Sequence, residues 1–212
     1  MLNLMKKFIA HFISVVFHPS ILQLLGYLII WFFLGDLKRF TPKGIQYLAT
    51  SILLFTWGIP LLTFMILKLV GQIKSFTLEN QQERFIPYMV TALCYFACWR
   101  LFVNSHIQGV IAPYTLAAAV VIVFCGVTNF FTKISAHAAG CGGITAFVLF
   151  CFMYGGLAEI RWILVAILCI TGMVFSARKY LNAHTDQQLL IGYFGGMFVS
   201  AITLYLSFVF SL

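Results

Sequence analysis

The stretch IAPYTLAAAVVIVFCGVTNFFTKISAH, residues 111–137, decides the fold class. It carries no charged side chain until the polar segment at its end, Lys133–His137. About 20 consecutive apolar residues are what an α-helix needs to cross the hydrocarbon core of a bilayer. The sequence therefore predicts a membrane-spanning helix over 110–131 that ends in a first polar segment, Lys133–His137.

The rest of the 212-residue chain has the same character. Hydrophobic residues make up 62% of it and charged residues 8%, with a mean hydropathy of +1.02. This composition excludes a soluble globular domain, because too few polar groups are present to cover a water-facing surface. Helices satisfy their own backbone hydrogen bonds within lipid. We therefore predict an all-α, polytopic membrane helix bundle in a single domain, 1–212, with about six or seven transmembrane helices, over 19–35, 45–73, 87–104, 110–131, 137–157, 160–177 and 188–211.

The N-terminal residues 1–18 differ from these spans. Lys6 and Lys7 precede a short apolar stretch that lacks the small-residue cleavage site of a signal peptide. We predict an amphipathic helix that lies at the membrane surface, with Lys6, Lys7, His11 and Ser14 on its wetter side.

A second polar segment, Arg178–His184, follows the predicted span 160–177. Ionisable groups at span ends are candidates for function, because they are costly beside hydrocarbon. Two predicted spans separate Arg84 from the first polar segment, and two more separate the first segment from the second. An even number of crossings returns the chain to the same face, so we expect all three groups at one face of the membrane.

These residue types fit the chemistry of a phosphate group. A phosphate ester needs cations and hydrogen-bond donors around its oxygens, with a nucleophile and a proton donor on opposite sides of phosphorus. A neutral imidazole can attack phosphorus, and a protonated one can protonate the leaving oxygen. The candidates are the cations Arg84, Lys133 and Arg178, the hydroxyl of Ser135, and the imidazoles of His137 and His184. Each of them alone also has an ordinary interpretation, as a snorkelling cation, a helix cap or a loop residue.

The two polar segments resemble motifs of the lipid phosphate phosphatases, the type-2 phosphatidic acid phosphatase superfamily. Ile134-Ser135-Ala136-His137 is similar to the family's Pro-Ser-Gly-His motif, and Arg178 and His184 have the spacing of its Arg-x5-His motif. The resemblance covers roughly residues 74–196. It implies that His184 is the nucleophile that forms a phosphohistidine, that His137 is the general acid, and that Arg178 and Ser135 bind phosphate. Arg84 is a loose match to the first motif.

The chain also departs from the family pattern. The aspartate four residues after the nucleophile is Gln188, which can accept a hydrogen bond from His184 but carries no charge. Asp186 is the nearby carboxylate, and it is a second candidate to orient His184 if the chain there is not helical. The first-motif lysine has no clean equivalent, and the candidates for its charge are Lys74 and Lys133. We interpret the chain as a divergent branch of the family.

The implied partner is a phosphorylated membrane lipid of the phosphatidate, phosphatidylglycerol phosphate or polyprenyl diphosphate type, within a lipid bilayer. We predict no cofactor, since protein cations can neutralise the phosphate. The six cysteines fall inside predicted spans, where thiols behave as small apolar groups, so we predict neither a disulfide nor a metal site. The net charge of +8 is typical of membrane loops that meet anionic head groups, so we predict no nucleic-acid partner.

Two functional hypotheses follow. The first is a multi-pass phosphatase of a cell membrane, and the resemblance implies the outer face of a bacterial cytoplasmic membrane. The second is a weakened or inactive family member that binds anionic lipid or a membrane partner. A small transporter is a third idea with less support, because the cations cluster at span ends and not at mid-membrane. The distribution of Lys and Arg between the two faces does not decide the orientation.

Overall fold

The computed structural model describes residues 2–34, 40–75, 78, 80–107, 109–155 and 160–210. Every regular element in these ranges is a helix, and the structure confirms the all-α membrane bundle. Six of the helices are long and apolar enough to cross a membrane: Pro42–Leu69, Gln82–Asn104, Ile111–Thr128, Ala136–Met153, Ile160–Tyr180 and Asp186–Phe210. A seventh candidate is a bent pair, Asn3–Val16 and Pro19–Leu34, whose axes meet at 52°.

The helices are numbered here in chain order. They are α1 (Leu2–Val16), α2 (Pro19–Ile29, continued by a π-helical turn Ile30–Leu34), α3 (Pro42–Leu53), α4 (Ile59–Leu69), α5 (Phe85–Asn104), α6 (Ile111–Thr128), α7 (Ala136–Gly155), α8 (Ile160–Tyr180) and α9 (Asp186–Phe210). A π-helical turn, Leu54–Gly58, joins α3 to α4 without a loop. The extra residue of a π turn accommodates the chain ahead of Pro60, so the predicted span continues through this proline.

Several predicted boundaries shift for identifiable reasons. The second span begins at Pro42 and not at residue 45, because Thr41 caps the helix through a hydrogen bond from Gly44 N to its Oγ1 at 3.2 Å, and Pro42 suits the first turn. The first predicted span, 19–35, is helical from Pro19 to Leu34, and residue 35 lies outside the described residues. This helix qualifies as a crossing only together with α1. The predicted boundary at 157–160 lies outside the described residues, apart from Ile160.

The tightest contact in the bundle is between α7 and α9. A side chain at Gly142 would collide with the carbonyl oxygen of Tyr193, and one at Gly196 would collide with that of Ala139. The absence of a Cβ therefore lets the two backbones touch, as small residues do between membrane helices. As a result, the first turn of α7 lies against Gly192 and Gly196 of α9, and the turn before α9 reaches the first polar segment.

The N-terminal helix α1 packs against α8. Lys6, Lys7 and His11 are exposed, as expected for the wetter side. Ser14 was predicted there too, and this prediction is wrong, since Ser14 is only 7% exposed. The reason is that α1 is inclined by 52° to α2 and packs against α8, with the Ser14 carbonyl oxygen 2.9 Å from His137 Nε2 of α7.

Candidate functional site

The turn between α8 and α9 fixes how Arg178 and His184 are placed. Helix α8 continues three residues beyond its predicted end, to Tyr180, so Arg178 belongs to its last turn. The turn closes with hydrogen bonds from Ala183 N to Arg178 O (3.1 Å) and from Asn182 N to Lys179 O (2.9 Å). Asn182 has a φ of 51°, the left-handed conformation that ends helices in a Schellman motif. Two residues later the chain reaches His184.

A capping box then begins α9. Thr185 Oγ1 accepts a hydrogen bond from Gln188 N at 3.3 Å, and Gln188 Oε1 accepts one from Thr185 N at 3.2 Å. The same Oε1 lies 3.3 Å from His184 Nδ1, and the Lys133 carbonyl oxygen lies 3.2 Å from it. Both neighbours of Nδ1 are acceptors, so Nδ1 carries the proton and the lone pair of the neutral ring is on Nε2. The hydrogen bond expected from the spacing of His184 and Gln188 is present.

The surroundings of His184 favour its neutral form. The side chain is 8% exposed, and its pKa is lowered from 6.5 to about 4. Burial is the largest cause, followed by the positive charges of Arg178 and Arg84, while the hydrogen bonds to Lys133 O and Gln188 oppose the shift. At neutral pH, His184 is therefore an uncharged imidazole, and its Nε2 lone pair has no hydrogen-bond partner in the described part of the chain.

The first polar segment enters α7 through a cap. Ser135 is fully buried, and its Oγ accepts a hydrogen bond from Ala138 N at 3.4 Å while its carbonyl accepts from Ala139 N. Ser135 was predicted to bind phosphate, and in the structure its hydroxyl acts as the N-cap of α7. His137 follows in the first turn and donates from Nε2 to the Ser14 carbonyl of α1, because that neighbour is an acceptor. The Lys133 side chain is half-buried.

Arg84 ties the loop before α5 to the first polar segment. It is 5% exposed, with Nε donating to Leu78 O at 2.7 Å and Nη1 donating to Ile134 O at 3.0 Å. Two hydrogen bonds between Gln81 and Asn129 hold the same loop. The Gln81 side chain donates to the Asn129 carbonyl, and Asn129 Nδ2 donates to Gln81 O at 2.9 Å. Part of the Arg84 guanidinium is thus used to hold the backbone that carries Ser135.

Arg178 lies at the centre of the polar groups that these turns bring together. It lies close enough to His18, His137, His184 and Arg84 for their charges to interact. Contacts also bring these groups together at one end of the bundle, since the His18 and His137 rings touch, Arg84 Nη1 donates to Ile134 O, and His184 Nδ1 lies 3.2 Å from Lys133 O. Arg178 Nε is buried, and within the described residues it has no hydrogen-bond partner. A buried guanidinium nitrogen of this kind is costly unless an acceptor reaches it. The cluster, which we call the cationic histidine site, is therefore suited to an anion.

His18 is the member of this site that the sequence did not predict. It lies between α1 and α2, and its ring packs edge-on against that of His137, with centroids 5.4 Å apart at 88°. The signal that could have found it is the same crossing count that placed the other groups, since the two predicted spans 19–35 and 45–73 separate it from Arg84.

Two predicted residues do not join the site. Asp186 forms an exposed ion pair with Lys179, with Nζ and Oδ2 2.8 Å apart, so its carboxylate does not orient His184. The prediction failed because Asp186 is the first residue of α9, where a carboxylate faces outward and toward the helix N-terminus. Lys74 is exposed, and its backbone N donates to Glu83 Oε2 at 3.0 Å.

The chain matches no protein-family model, no curated protein and no solved structure. Its resemblance to the lipid phosphate phosphatases thus stays a prediction from the residues of the two polar segments.

Proposed function

We propose that this multi-pass membrane protein is a lipid phosphate or lipid diphosphate phosphatase that acts through a phosphohistidine intermediate. The observation that carries the proposal is the arrangement of His184: a neutral imidazole whose Nε2 has no hydrogen-bond partner among the described residues, close enough to Arg178 to interact with its charge, while the buried Arg178 Nε lacks an acceptor among the same residues. A nucleophile next to an unsatisfied cationic donor is what phosphoryl transfer to an imidazole requires.

In the first chemical step, the Nε2 lone pair of His184 forms a bond to phosphorus while the bond from phosphorus to the lipid oxygen breaks. Arg178 stabilises the charge on the phosphoryl oxygens. His137 acts here as an imidazolium with both ring nitrogens protonated: its Nε2–H stays on the Ser14 carbonyl, and its Nδ1 proton passes to the departing lipid oxygen, which leaves His137 neutral. The products are the dephosphorylated lipid and a phosphorylated His184.

In the second step, water attacks phosphorus and gives its proton to His137. The bond between phosphorus and Nε2 then breaks, releasing inorganic phosphate and restoring the neutral ring of His184. Phosphorylated His184 is cationic while its Nδ1–H is retained, and the Lys133 carbonyl and Gln188 Oε1 stabilise that charge by their dipoles. An amide stabilises it less than the family's aspartate would, so slower turnover is expected.

The position of the site supports a lipid substrate. It lies where the described spans α5, α7, α8 and α9 begin or end, and the outer surfaces of these helices expose large apolar side chains such as Leu93, Val165 and Phe198. A phosphate head group at the helix ends would leave its hydrocarbon chains beside such surfaces. Phosphatidate, phosphatidylglycerol phosphate and polyprenyl diphosphates share this geometry, and a bacterial cytoplasmic membrane holds all three types.

The test is phosphate release by purified protein in detergent from these three lipids, alongside His184→Ala, His137→Ala and the control His11→Ala on α1. We expect hydrolysis by the parent and the control and loss of at least about a hundredfold in the other two. A substrate with a radiolabelled phosphate should leave an acid-labile, alkali-stable label on the protein, absent in His184→Ala. Equal release by all four proteins would overturn the proposal.

A second function, a non-catalytic binder of anionic lipid or of a membrane partner, is favoured by one observation. Arg84 and Ser135, two of the predicted phosphate ligands, already bond to protein groups. Gln188→Asp separates the two functions, because it restores the family's carboxylate next to His184. A gain in turnover supports an attenuated enzyme, whereas retained lipid binding with no turnover in either protein supports the binder.

A further inference from the structure

His18 has a defined tautomer that leaves one donor unused. Its Nδ1 accepts a hydrogen bond from Ser20 N at 3.4 Å and lies 2.7 Å from Ser20 Oγ. A backbone N–H can only donate, so Nδ1 is unprotonated and the proton of the neutral ring is on Nε2. Within the described part of the chain, this Nε2–H has no hydrogen-bond partner.

The donor lies within the cationic histidine site. The His18 ring is in contact with the His137 ring, and Arg178 acts on both rings through its charge. His137 is itself held by the Ser14 carbonyl, four residues before His18. The chain at the end of α1 and just after it therefore contributes two groups to the site, the Ser14 carbonyl as an acceptor and the His18 imidazole as a donor.

Helix capping accounts for only one of the two ring nitrogens of His18. His18 is the N-cap of α2, a role that uses Nδ1 and that Ser, Asn or Asp perform better. The second nitrogen adds nothing to the cap. An exposed histidine with an unused N–H donor, within charge range of an unsatisfied Arg178 nitrogen, is instead complementary to a phosphoryl oxygen, which accepts several hydrogen bonds at once.

We propose that His18 is a phosphate-binding residue, which donates its Nε2–H to a non-bridging oxygen of the phosphate held by Arg178. The residue that joins α1 to α2 thereby completes the anion site. This inference rests on the proposed function only for the identity of the ligand, a phosphate group, and not for its hydrolysis.

The test uses the full-length protein in detergent and the substitution His18→Asn, which keeps a strong N-cap and removes the Nε2–H. His18→Ser is a second capping variant, and His11→Asn, an exposed histidine on α1, is the matched control. The readouts are the Kd for inorganic phosphate, obtained from thermal stabilisation, and KM and kcat for phosphatidate.

We expect both His18 variants to melt like the parent without phosphate, and to raise the Kd for phosphate and the KM for phosphatidate about tenfold, as the loss of a hydrogen bond to a charged group implies. His11→Asn should leave both constants unchanged. His18 variants that bind phosphate as tightly as His11→Asn would overturn the inference.

The outcomes separate the two proposals. Suppose that the parent releases no phosphate from lipid but binds inorganic phosphate, and that the His18 variants bind it more weakly while His11→Asn does not. This result would refute the phosphatase and support the role of His18. If the parent hydrolyses phosphatidate, and the His18 variants have the same Kd for phosphate and the same KM as His11→Asn, the phosphatase is supported and the role of His18 is refuted. A parent with neither phosphate binding nor hydrolysis would refute both.

Discussion

His184 depends on its immediate neighbours for both its tautomer and its charge. Gln188 Oε1 and the Lys133 carbonyl hold the proton on Nδ1, while burial and two arginines keep the ring neutral. An amide at position 188 fixes the tautomer as a carboxylate would, but it lacks the negative charge that would favour the protonated ring. The effect of an amide at position 188, in place of a carboxylate, should therefore be visible in the pH dependence of the proposed hydrolysis.

We predict that kcat/KM of the parent falls on the acid side with an apparent pKa of about 4, since neutral His184 is required in the free protein. Gln188→Glu places a negative charge near Nδ1 with little change in side-chain length, which raises the pKa of His184 and moves this acid limb to higher pH. The measurement is kcat/KM for phosphatidate from about pH 3.5 to about pH 8, set in steps of about half a unit.

The control for this shift is Gln187→Glu, which adds the same charge at the adjacent, exposed position. An acid limb that moves equally in both variants would contradict a specific pairing with His184.

The pH dependence of stability gives an independent check. Folding lowers the pKa of His184 from 6.5 to about 4, so the unfolded chain binds more protons in this window and the stability of the parent falls as pH drops through it. That fall should be smaller in Gln188→Glu.

At the scale of elements, the distance between Arg178 and His184 is set by one residue in the turn. Asn182 adopts the left-handed conformation, and the hydrogen bonds on either side of it close the end of α8. Asn and Gly accept this conformation readily, whereas a β-branched residue does not. The six-residue spacing in the sequence has a structural meaning, because a Schellman motif ends α8 within it and the capping box that begins α9 follows His184 directly.

We predict that Asn182→Gly leaves folding and turnover near those of the parent, while Asn182→Val destabilises the protein by about 1–2 kcal/mol. The valine variant should also lose turnover, because a displaced turn moves His184 away from Arg178. Thermal unfolding in detergent and kcat/KM for phosphatidate measure the two effects. A valine variant as stable and active as the glycine variant would show that the turn does not position the site.

At the scale of the whole molecule, the sequence predicted the fold and the meeting of Arg84, the first polar segment and the second. Apolar run lengths predict spans, and crossing parity predicts which ends share a face, so neither needs tertiary detail. The position of His18 was not predicted, because it depends on the packing of α1 against α8 and on the long-range contact of Ser14 with His137. Likewise, the end of the apolar run at 177 did not mark the end of α8, since cations are favourable in the last turn of a helix.

The site as a whole requires α7 and α9 to touch, because one carries His137 and the other follows His184. We predict that Gly142→Ala destabilises the protein by about 1–3 kcal/mol, since the new Cβ meets the rigid backbone carbonyl of Tyr193. Turnover should fall with it as the two helix ends separate. Gly172→Ala on α8 is the matched control, because a Cβ added there would have no neighbouring atom within 4 Å and alanine is the better helix former. Thermal unfolding in detergent compares the two, and equal melting temperatures would contradict the requirement for backbone contact between α7 and α9.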